Sequence, residues 1–123
     1  MKKDIENRAD IELLINSFYN KVCSDDVIGY IFNDVAKVDW PNHMPTMYDF
    51  WEGVIFYTGN YRGNPIAAHK NLNNTEPLTA QHFVRWLQLF TATVTELFEG
   101  NKAELAKQRA ISIATTIQIK LAS

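Results

Sequence analysis

Residues 79–121 read TAQHFVRWLQLFTATVTELFEGNKAELAKQRAISIATTIQIKL, and this stretch decides the fold class. Its apolar side chains recur every three or four residues, which is the period of a helix with one buried face. Thr79 is a residue type that favours the N-cap of a helix, and Gly100 is one that ends it. The run from Asn101 to Glu104 resembles a capping box at the start of another helix. The stretch therefore predicts two long helices separated by the glycine.

The first half of the chain carries the same helical period. Asp10 is expected to cap the first helix, and Ser24 is expected to cap a short second helix that ends near Phe32. Residues 33–39 are expected to form a loop. A third helix is expected to begin near Asn42, and it carries many aromatic residues.

Turn-forming and polar residues fill the chain between the third helix and the last two. Residues 58–63 predict a turn, residues 64–70 a short helical piece, and residues 71–77 a polar loop. The sequence has no alternation typical of a β-strand, no internal repeat and no linker. We therefore predict an all-α fold, with residues 1–123 forming a single domain.

Length, composition and charge set limits on the function. The chain has 123 residues, 46% of them apolar, and a net charge of −2, so it can bury an ordinary core and has no charge that favours nucleic acid or anionic lipid. Cys23 is its single cysteine, which excludes an internal disulfide and a cysteine-rich zinc site. The N-terminal residues lack the apolar run of a signal peptide, and no stretch approaches the roughly 18 apolar residues of a membrane span. We predict a cytoplasmic protein with no nucleic-acid or membrane partner.

The candidate chemistry lies in three histidines, His43, His69 and His82. Imidazole is the commonest metal ligand and a usual proximal ligand of haem iron. Taken singly, each histidine is more often a capping, packing or surface residue, and Cys23 is expected to pack rather than to act as a nucleophile. The sequence contains no Cys-x-x-Cys-His site for covalent haem and no His-Glu-x-x-His zinc motif.

The order of the aromatic and histidine residues resembles that of the bacterial truncated haemoglobins, most closely group III. The resemblance runs from about residue 5 to residue 120 and rests on Phe18-Tyr19, Ile31-Phe32, His43 followed by Phe50-Trp51, Tyr61-x-Gly63-x-Pro65-x-x-x-His69, and Trp86-Leu87-x-Leu89-Phe90. The glycine pairs typical of groups I and II are missing, as they usually are in group III. The resemblance implies a truncated globin fold, which is a two-on-two helical sandwich around haem.

The resemblance also implies a non-covalent haem b site. His69 matches the proximal iron ligand, and Tyr19, His43 and Trp86 match residues on the distal side, where dioxygen or another diatomic ligand binds. A hydrogen bond to a charged acceptor is worth about 1.5–3 kcal/mol, so a phenol or indole donor there changes ligand affinity strongly. His43 is expected to stay neutral near pH 7 because it lies in the first turn of its helix, where the helix dipole disfavours a cation.

Further side chains are expected to line the haem slot. They are Phe18, Phe32, Met47, Phe50, Trp51, Phe83, Trp86, Phe90 and Ala114. Arg62 and Lys70, beside the proximal turn, are expected to meet the propionates. His82 is expected to cap or pack at the start of its helix and not to bind iron.

Three functions stay open from the sequence. One is a ligand-binding haem protein, such as an oxygen carrier, and another is a haem enzyme of peroxidase or nitric oxide dioxygenase type that needs a separate reductase. The third is a helical interaction module without a cofactor, in which the aromatic residues form plain core. A monomer or weak dimer is expected in each case.

Overall fold

Four α-helices and one π-helical segment make up the described part of the chain. The computed structural model describes residues 2–35, 40–57 and 78–122. The elements are α1 (Arg8–Cys23), the π-helical segment (Ile31–Val35), α2 (Trp40–Phe56), α3 (Ala80–Leu97) and α4 (Asn101–Ala122). These ranges contain no β-strand, and none of their helices is both long and apolar enough to cross a membrane. The turn, short helix and loop predicted between residues 58 and 77 lie outside the described residues.

The helices pack as two pairs, one laid on the other. α1 packs against α2, and α3 packs against α4. The pairs are joined because α1 also contacts α3 and α2 also contacts α4. Phe18 from α1 and Phe90 from α3 are completely buried where the pairs meet, with their ring centroids 5.1 Å apart. The predicted all-α, two-on-two architecture is confirmed.

The first helix begins three residues earlier than predicted. Asn7 is its N-cap, and the Asn7 side chain accepts a hydrogen bond from the amide of Asp10. The prediction that Asp10 is the cap was wrong, since this buried side chain lies in the first turn and binds the N-terminal segment. Its carboxylate accepts from the Lys3 ammonium at 2.5 Å and from the Glu6 amide at 2.8 Å. Burial raises the pKa of Asp10, but these hydrogen bonds outweigh burial and lower it.

The turn after α1 is capped by Asp25 and not by Ser24. Ser24 closes α1 as its C-cap, whereas the Asp25 carboxylate accepts from the amides of Val27 and Ile28 at 3.0 and 3.1 Å. Asp25 also forms an ion pair with Arg85 of α3, at 2.6 Å. An aspartate therefore holds this turn against the other helix pair, which a local sequence pattern does not reveal.

Two boundaries near α2 also differ from the prediction. Residues 33–35 belong to the π-helical segment and not to a loop. The third helix begins at Trp40, before the expected Asn42. Pro41 falls in the first turn, where a missing amide proton costs little because the first amides have no partner within the helix. Pro45 lies inside the helix, because α2 begins earlier than predicted, and it therefore cannot donate the usual backbone hydrogen bond to the carbonyl of Pro41.

A residue from the far N-terminus caps α4. Gly100 has a φ of +141°, a conformation that favours glycine, and it places the first amides of α4 beside Asp4. The Asp4 carboxylate accepts from the amides of Lys102 and Ala103 at 2.9 and 2.8 Å. The prediction of a capping box that starts at Asn101 was therefore wrong, because the side chain of Asp4, which lies 98 and 99 residues away along the chain, satisfies these two amides.

Candidate functional site

Four aromatic rings from three elements meet at one end of α2. They are Tyr19 of α1, Phe32 of the π-helical segment, and Trp40 and His43 of α2, and we call them the Tyr19 cluster. The Tyr19 ring centroid lies 5.3 Å from that of Trp40, 5.4 Å from that of His43 and 6.0 Å from that of Phe32. Tyr19, Phe32 and His43 are candidates from the sequence, and the structure brings these three residues together.

Local sequence explains why these rings meet. Phe18 and Tyr19 are adjacent in α1, so Phe18 enters the core while Tyr19, which is 8% exposed, lies at its edge. Trp40 and His43 are three residues apart in α2 and therefore share one face of the helix. Their ring centroids are 5.5 Å apart, with the ring planes nearly perpendicular at 82°. Edge-to-face contacts of this kind fix ring orientation as well as distance.

Tyr19 offers a hydroxyl donor in an apolar setting. Burial, with a smaller contribution from Cys23, raises the pKa of Tyr19 well above its ordinary value. The phenol therefore keeps its proton at neutral and moderately alkaline pH. Within the described residues, no group forms a hydrogen bond with this hydroxyl.

His43 carries the one buried side-chain polar atom in the described ranges that lacks a hydrogen-bond partner, which is its Nε2. Burial also lowers the pKa of His43 below its ordinary value, so the imidazole is neutral near pH 7. A buried polar atom without a partner costs about 1–3 kcal/mol, and such atoms are uncommon in native proteins. A site that receives a ligand is one physical reason for keeping such an atom.

A second group of rings lies behind the Tyr19 cluster. Phe90 stacks between Trp51 and Trp86, at centroid distances of 4.6 and 5.6 Å. Phe18 joins the two groups, because its ring lies 4.9 Å from Tyr19 and 5.6 Å from Trp86. Trp86, which is expected on the distal side with Tyr19 and His43, thus reaches Tyr19 through Phe18.

Phe83, Ala114 and Met47, which are also expected to line the haem slot, pack against the two hydrophobic core clusters. Phe83 packs with Ala114 and Ile117 in a small core cluster, and Trp86 packs against this cluster. Met47 is half-buried against the main core.

An open groove of about 490 Å³ runs between α2 and α4. Its apolar wall is formed by Phe50, Val54, Ile113 and Ile117. Its polar lining residues are Arg109, Ser112 and Thr116 of α4. The volume lies within the range of about 300–1,000 Å³ that is common for small-molecule sites.

The α2 side of this groove continues the face that carries His43. His43, Met47, Phe50 and Val54 follow one another at intervals of four, three and four residues, which places them on one side of a helix. Trp51, by contrast, is 2% exposed and belongs to the core side of α2. One helix face therefore leads from the Tyr19 cluster into the groove.

His82 has the capping role that we predicted. Thr79 is the N-cap of α3, and the Thr79 amide donates to Nδ1 of His82 at 3.1 Å, while the His82 amide donates to the Thr79 hydroxyl at 3.4 Å. The second ring nitrogen of His82 lies 3.3 Å from the hydroxyl of Tyr30. Both nitrogens of this imidazole are thus occupied by structural contacts.

The predicted proximal side lies outside the described residues, since His69, Arg62 and Lys70 fall between residues 58 and 77. In the described ranges, no group of three or more histidine, cysteine or acidic side chains is placed to hold a metal ion.

Comparison with known proteins decides the family. No protein-family model matches the chain. The chain is 31% identical over 121 residues to the group 3 truncated haemoglobin ctb of Campylobacter jejuni, which covers 96% of this chain and 93% of that protein. The chain belongs to the group III truncated haemoglobins. The crystal structure of the group III truncated haemoglobin from C. jejuni matches it with a TM-score of 0.84 at 31% identity, over 98% of this chain and 95% of that chain. The truncated globin fold is thereby confirmed, and membership of this family implies haem binding.

Trp40 is the member of the Tyr19 cluster that the sequence analysis missed. The sequence predicts a third helix that begins near Asn42, and Trp40 lies outside that predicted helix. Two signals point to it in retrospect: Pro41, which favours the first turn of a helix, and the spacing of three residues from His43. In this truncated haemoglobin, Trp40 touches both candidate distal donors.

Proposed function

We propose that this truncated haemoglobin binds haem b non-covalently and holds dioxygen or another diatomic ligand on the side of Tyr19 and His43. The observation that carries the proposal is the pairing of these two residues. A protonated phenol without a described partner lies beside a neutral imidazole whose buried Nε2 has none. We further propose His69 as the iron ligand on the opposite face, because it matches the family's proximal position.

The residues present fit a haem. The face of α2 that carries His43 continues through Met47 and Phe50 into the groove, so it offers apolar surface along one side of a flat molecule. Apolar walls with a few placed polar groups are typical of cofactor sites. Bound through His69, the ferrous haem would supply an open coordination position for a diatomic ligand. Arg62 and Lys70 are proposed as partners of the propionates, on their positions beside His69.

The chain's own contribution is the donor set. The Tyr19 hydroxyl would donate a hydrogen bond to a ligand atom that carries negative charge, and its raised pKa keeps the proton on the phenol oxygen. Neutral His43 has one N–H and one acceptor nitrogen, so it would donate a second hydrogen bond to the ligand in the tautomer that carries the proton on Nε2. The surrounding rings of Phe32 and Trp40 keep water away and so strengthen these hydrogen bonds.

A haem enzyme is the second candidate, and the same pair of polar groups supports it. Donors that stabilise charge on a bound ligand also favour cleavage of an O–O bond in peroxidase or nitric oxide dioxygenase chemistry. Such turnover requires electrons from a separate reductase. Steady-state turnover with peroxide, or with nitric oxide and a reductant, separates this candidate from a ligand carrier.

Haem titration with two histidine variants tests the proposal. Wild-type protein should bind close to one haem per chain, with an intense Soret band. His69→Ala should lose stable haem retention, whereas the matched control His82→Ala should retain haem and lose only some stability, because its ring caps α3. Failure of the wild-type protein to bind added haem would leave the interaction module as the remaining function. Haem loss in His82→Ala together with retention in His69→Ala would overturn the ligand assignment.

A further inference from the structure

We propose that Trp40 is a positioning residue of the distal pocket and that its indole holds Tyr19 and His43 against each other. The inference rests on the proposed function, because it concerns the two donors assigned there. It adds a residue that acts on the bound ligand only through its neighbours.

The contacts of the indole carry the inference. Its centroid lies 5.3 Å from that of Tyr19, 5.5 Å from that of His43 and 6.3 Å from that of Phe32. Trp40 therefore touches the three other rings of the Tyr19 cluster, which come from α1, α2 and the π-helical segment. The contact with Phe32 is stacked, with 22° between the ring planes, while the other two are tilted or edge-on.

The position of Trp40 in α2 explains why it fixes His43. It is the first residue of the helix, one turn before His43, so its indole covers the side of the imidazole that faces the helix start. Tyr19 contacts the same imidazole edge-on at 81°. The His43 ring is thus contacted by aromatic rings from α1 and from its own helix. No described group forms a hydrogen bond with Nε2, so these contacts hold the ring while that nitrogen stays available.

Loss of the indole should therefore loosen both donors without removing either. Water would enter beside His43, and the phenol would lose one of its packing partners. An aromatic contact is worth about 0.5–1.5 kcal/mol, so the loss of one corresponds to about a twofold to tenfold faster ligand release.

The test uses the haem-loaded protein with carbon monoxide as the probe. The C–O stretching frequency in the infrared reports the field of nearby hydrogen-bond donors, and a merely structural change elsewhere leaves it unchanged. Trp40→Leu should shift and broaden this band and should speed dioxygen release about twofold to tenfold. Trp40→Phe keeps a ring in the same place and should restore the band close to that of the wild type.

Tyr48→Leu is the matched control, since it also truncates a half-buried aromatic residue of α2. The Tyr48 hydroxyl donates a hydrogen bond to Asn16, and the Arg8 guanidinium carbon lies 5.5 Å from the centroid of the Tyr48 ring. Both contacts lie away from the Tyr19 cluster. Tyr48→Leu should lose stability without moving the C–O band. If Trp40→Leu does not fold, Trp40→Met fills the space with a flexible side chain and takes its place.

The outcomes separate this inference from the proposed function. Wild-type protein that binds no haem overturns both. Wild-type protein that binds haem and responds to Tyr19→Phe, while Trp40→Leu and Trp40→Met show the same band and release rate as Trp40→Phe, overturns the role of Trp40 alone. A band shift in Tyr48→Leu as large as that in Trp40→Leu also overturns it, because the effect would then be general loosening.

Discussion

Replacing Tyr19 by phenylalanine removes one oxygen atom from the proposed distal pocket and leaves the ring in place. The Tyr19 ring is held by Phe18 at 4.9 Å and by the other rings of its cluster, and phenylalanine can make all of these contacts. Because no described residue forms a hydrogen bond with the hydroxyl, the substitution leaves no partner in those ranges unsatisfied. The stability of the protein should therefore change little, and the effect should fall on the ligand.

The expected size follows from the kind of hydrogen bond that is lost. A hydrogen bond to a charged acceptor contributes about 1.5–3 kcal/mol, which is about tenfold to over a hundredfold in affinity. Such losses appear mainly as faster dissociation, so dioxygen release should accelerate by this factor. Burial raises the pKa of Tyr19, so the factor should not change as the pH rises from neutral to moderately alkaline.

Stopped-flow displacement of dioxygen by carbon monoxide from the ferrous protein measures the release rate directly. Tyr48→Phe is the matched control, since it also removes a phenol hydroxyl, one that donates to Asn16 outside the cluster. Its release rate should equal that of the wild type. An unchanged rate in Tyr19→Phe would refute the assignment of Tyr19 as the principal donor and would leave His43 or Trp86 in that role.

Two further predictions concern stability. Asp4→Ala should lower the free energy of unfolding, measured in urea titrations, by about 0.5–2 kcal/mol, as expected for the loss of a helix cap. Gly100→Ala should also lower the stability, because the φ of Gly100 is +141° and an added Cβ would lie 2.6 Å from Cγ of Asp4. In the Asp4→Ala background the cost of Gly100→Ala should be smaller, and equal costs in both backgrounds would show that the contact between the two side chains does not matter. Burial lowers the pKa of His43 from 6.5, so the unfolded chain binds more protons than the folded protein below that pH, and stability should fall as the pH drops from 7 through 6.5. His43→Gln should flatten this part of the stability profile of the haem-free protein, whereas an unchanged slope would place the titrating group elsewhere.

The helices were predictable because each needs only a local pattern. The apolar period predicted the four α-helices of the described ranges, and Thr79 was correctly predicted as the cap of α3. Gly100 was correctly predicted to separate α3 from α4. It adopts a φ of +141°, which glycine reaches readily and other residue types do not, so the residue type alone marks the helix end. Local propensity therefore agreed with the tertiary structure at these positions.

The wrong predictions of helix caps share one physical cause. Asp4 caps α4 from the other end of the chain, and Asp10 has its carboxylate bound by Lys3 and by an amide of the N-terminal segment. Asp25 likewise combines a local turn with an ion pair to Arg85 on α3. An acidic residue in a sequence indicates only that its carboxylate will accept hydrogen bonds from amides or pair with a cation. Which amides or cations these are depends on the tertiary structure.

The candidate site was predicted mainly from the order of aromatic and histidine residues, which resembles that of the truncated haemoglobins, and less from the properties of single residues. Single-residue reasoning gave His43 and Tyr19 no advantage over ordinary core and surface residues. Trp40 was missed because it precedes the expected start of α2, although it contacts more members of the Tyr19 cluster than Phe32 or His43 does. Positions before a helix start are the least certain part of a periodic pattern.

The two donors differ in how firmly the fold holds them, and this difference bears on their roles. Tyr19 follows Phe18, which is completely buried, so its backbone is fixed by the core of the molecule. His43 lies near the start of α2, on a face that leads into an open groove, and its ring is held by contacts with Tyr19 and Trp40. A donor fixed by the core gives a constant hydrogen bond, whereas one held by two ring contacts can be released at the cost of about 1–3 kcal/mol. We therefore expect Tyr19 to set the strength of ligand binding and His43, through Trp40, to set how readily the pocket admits water or a second molecule.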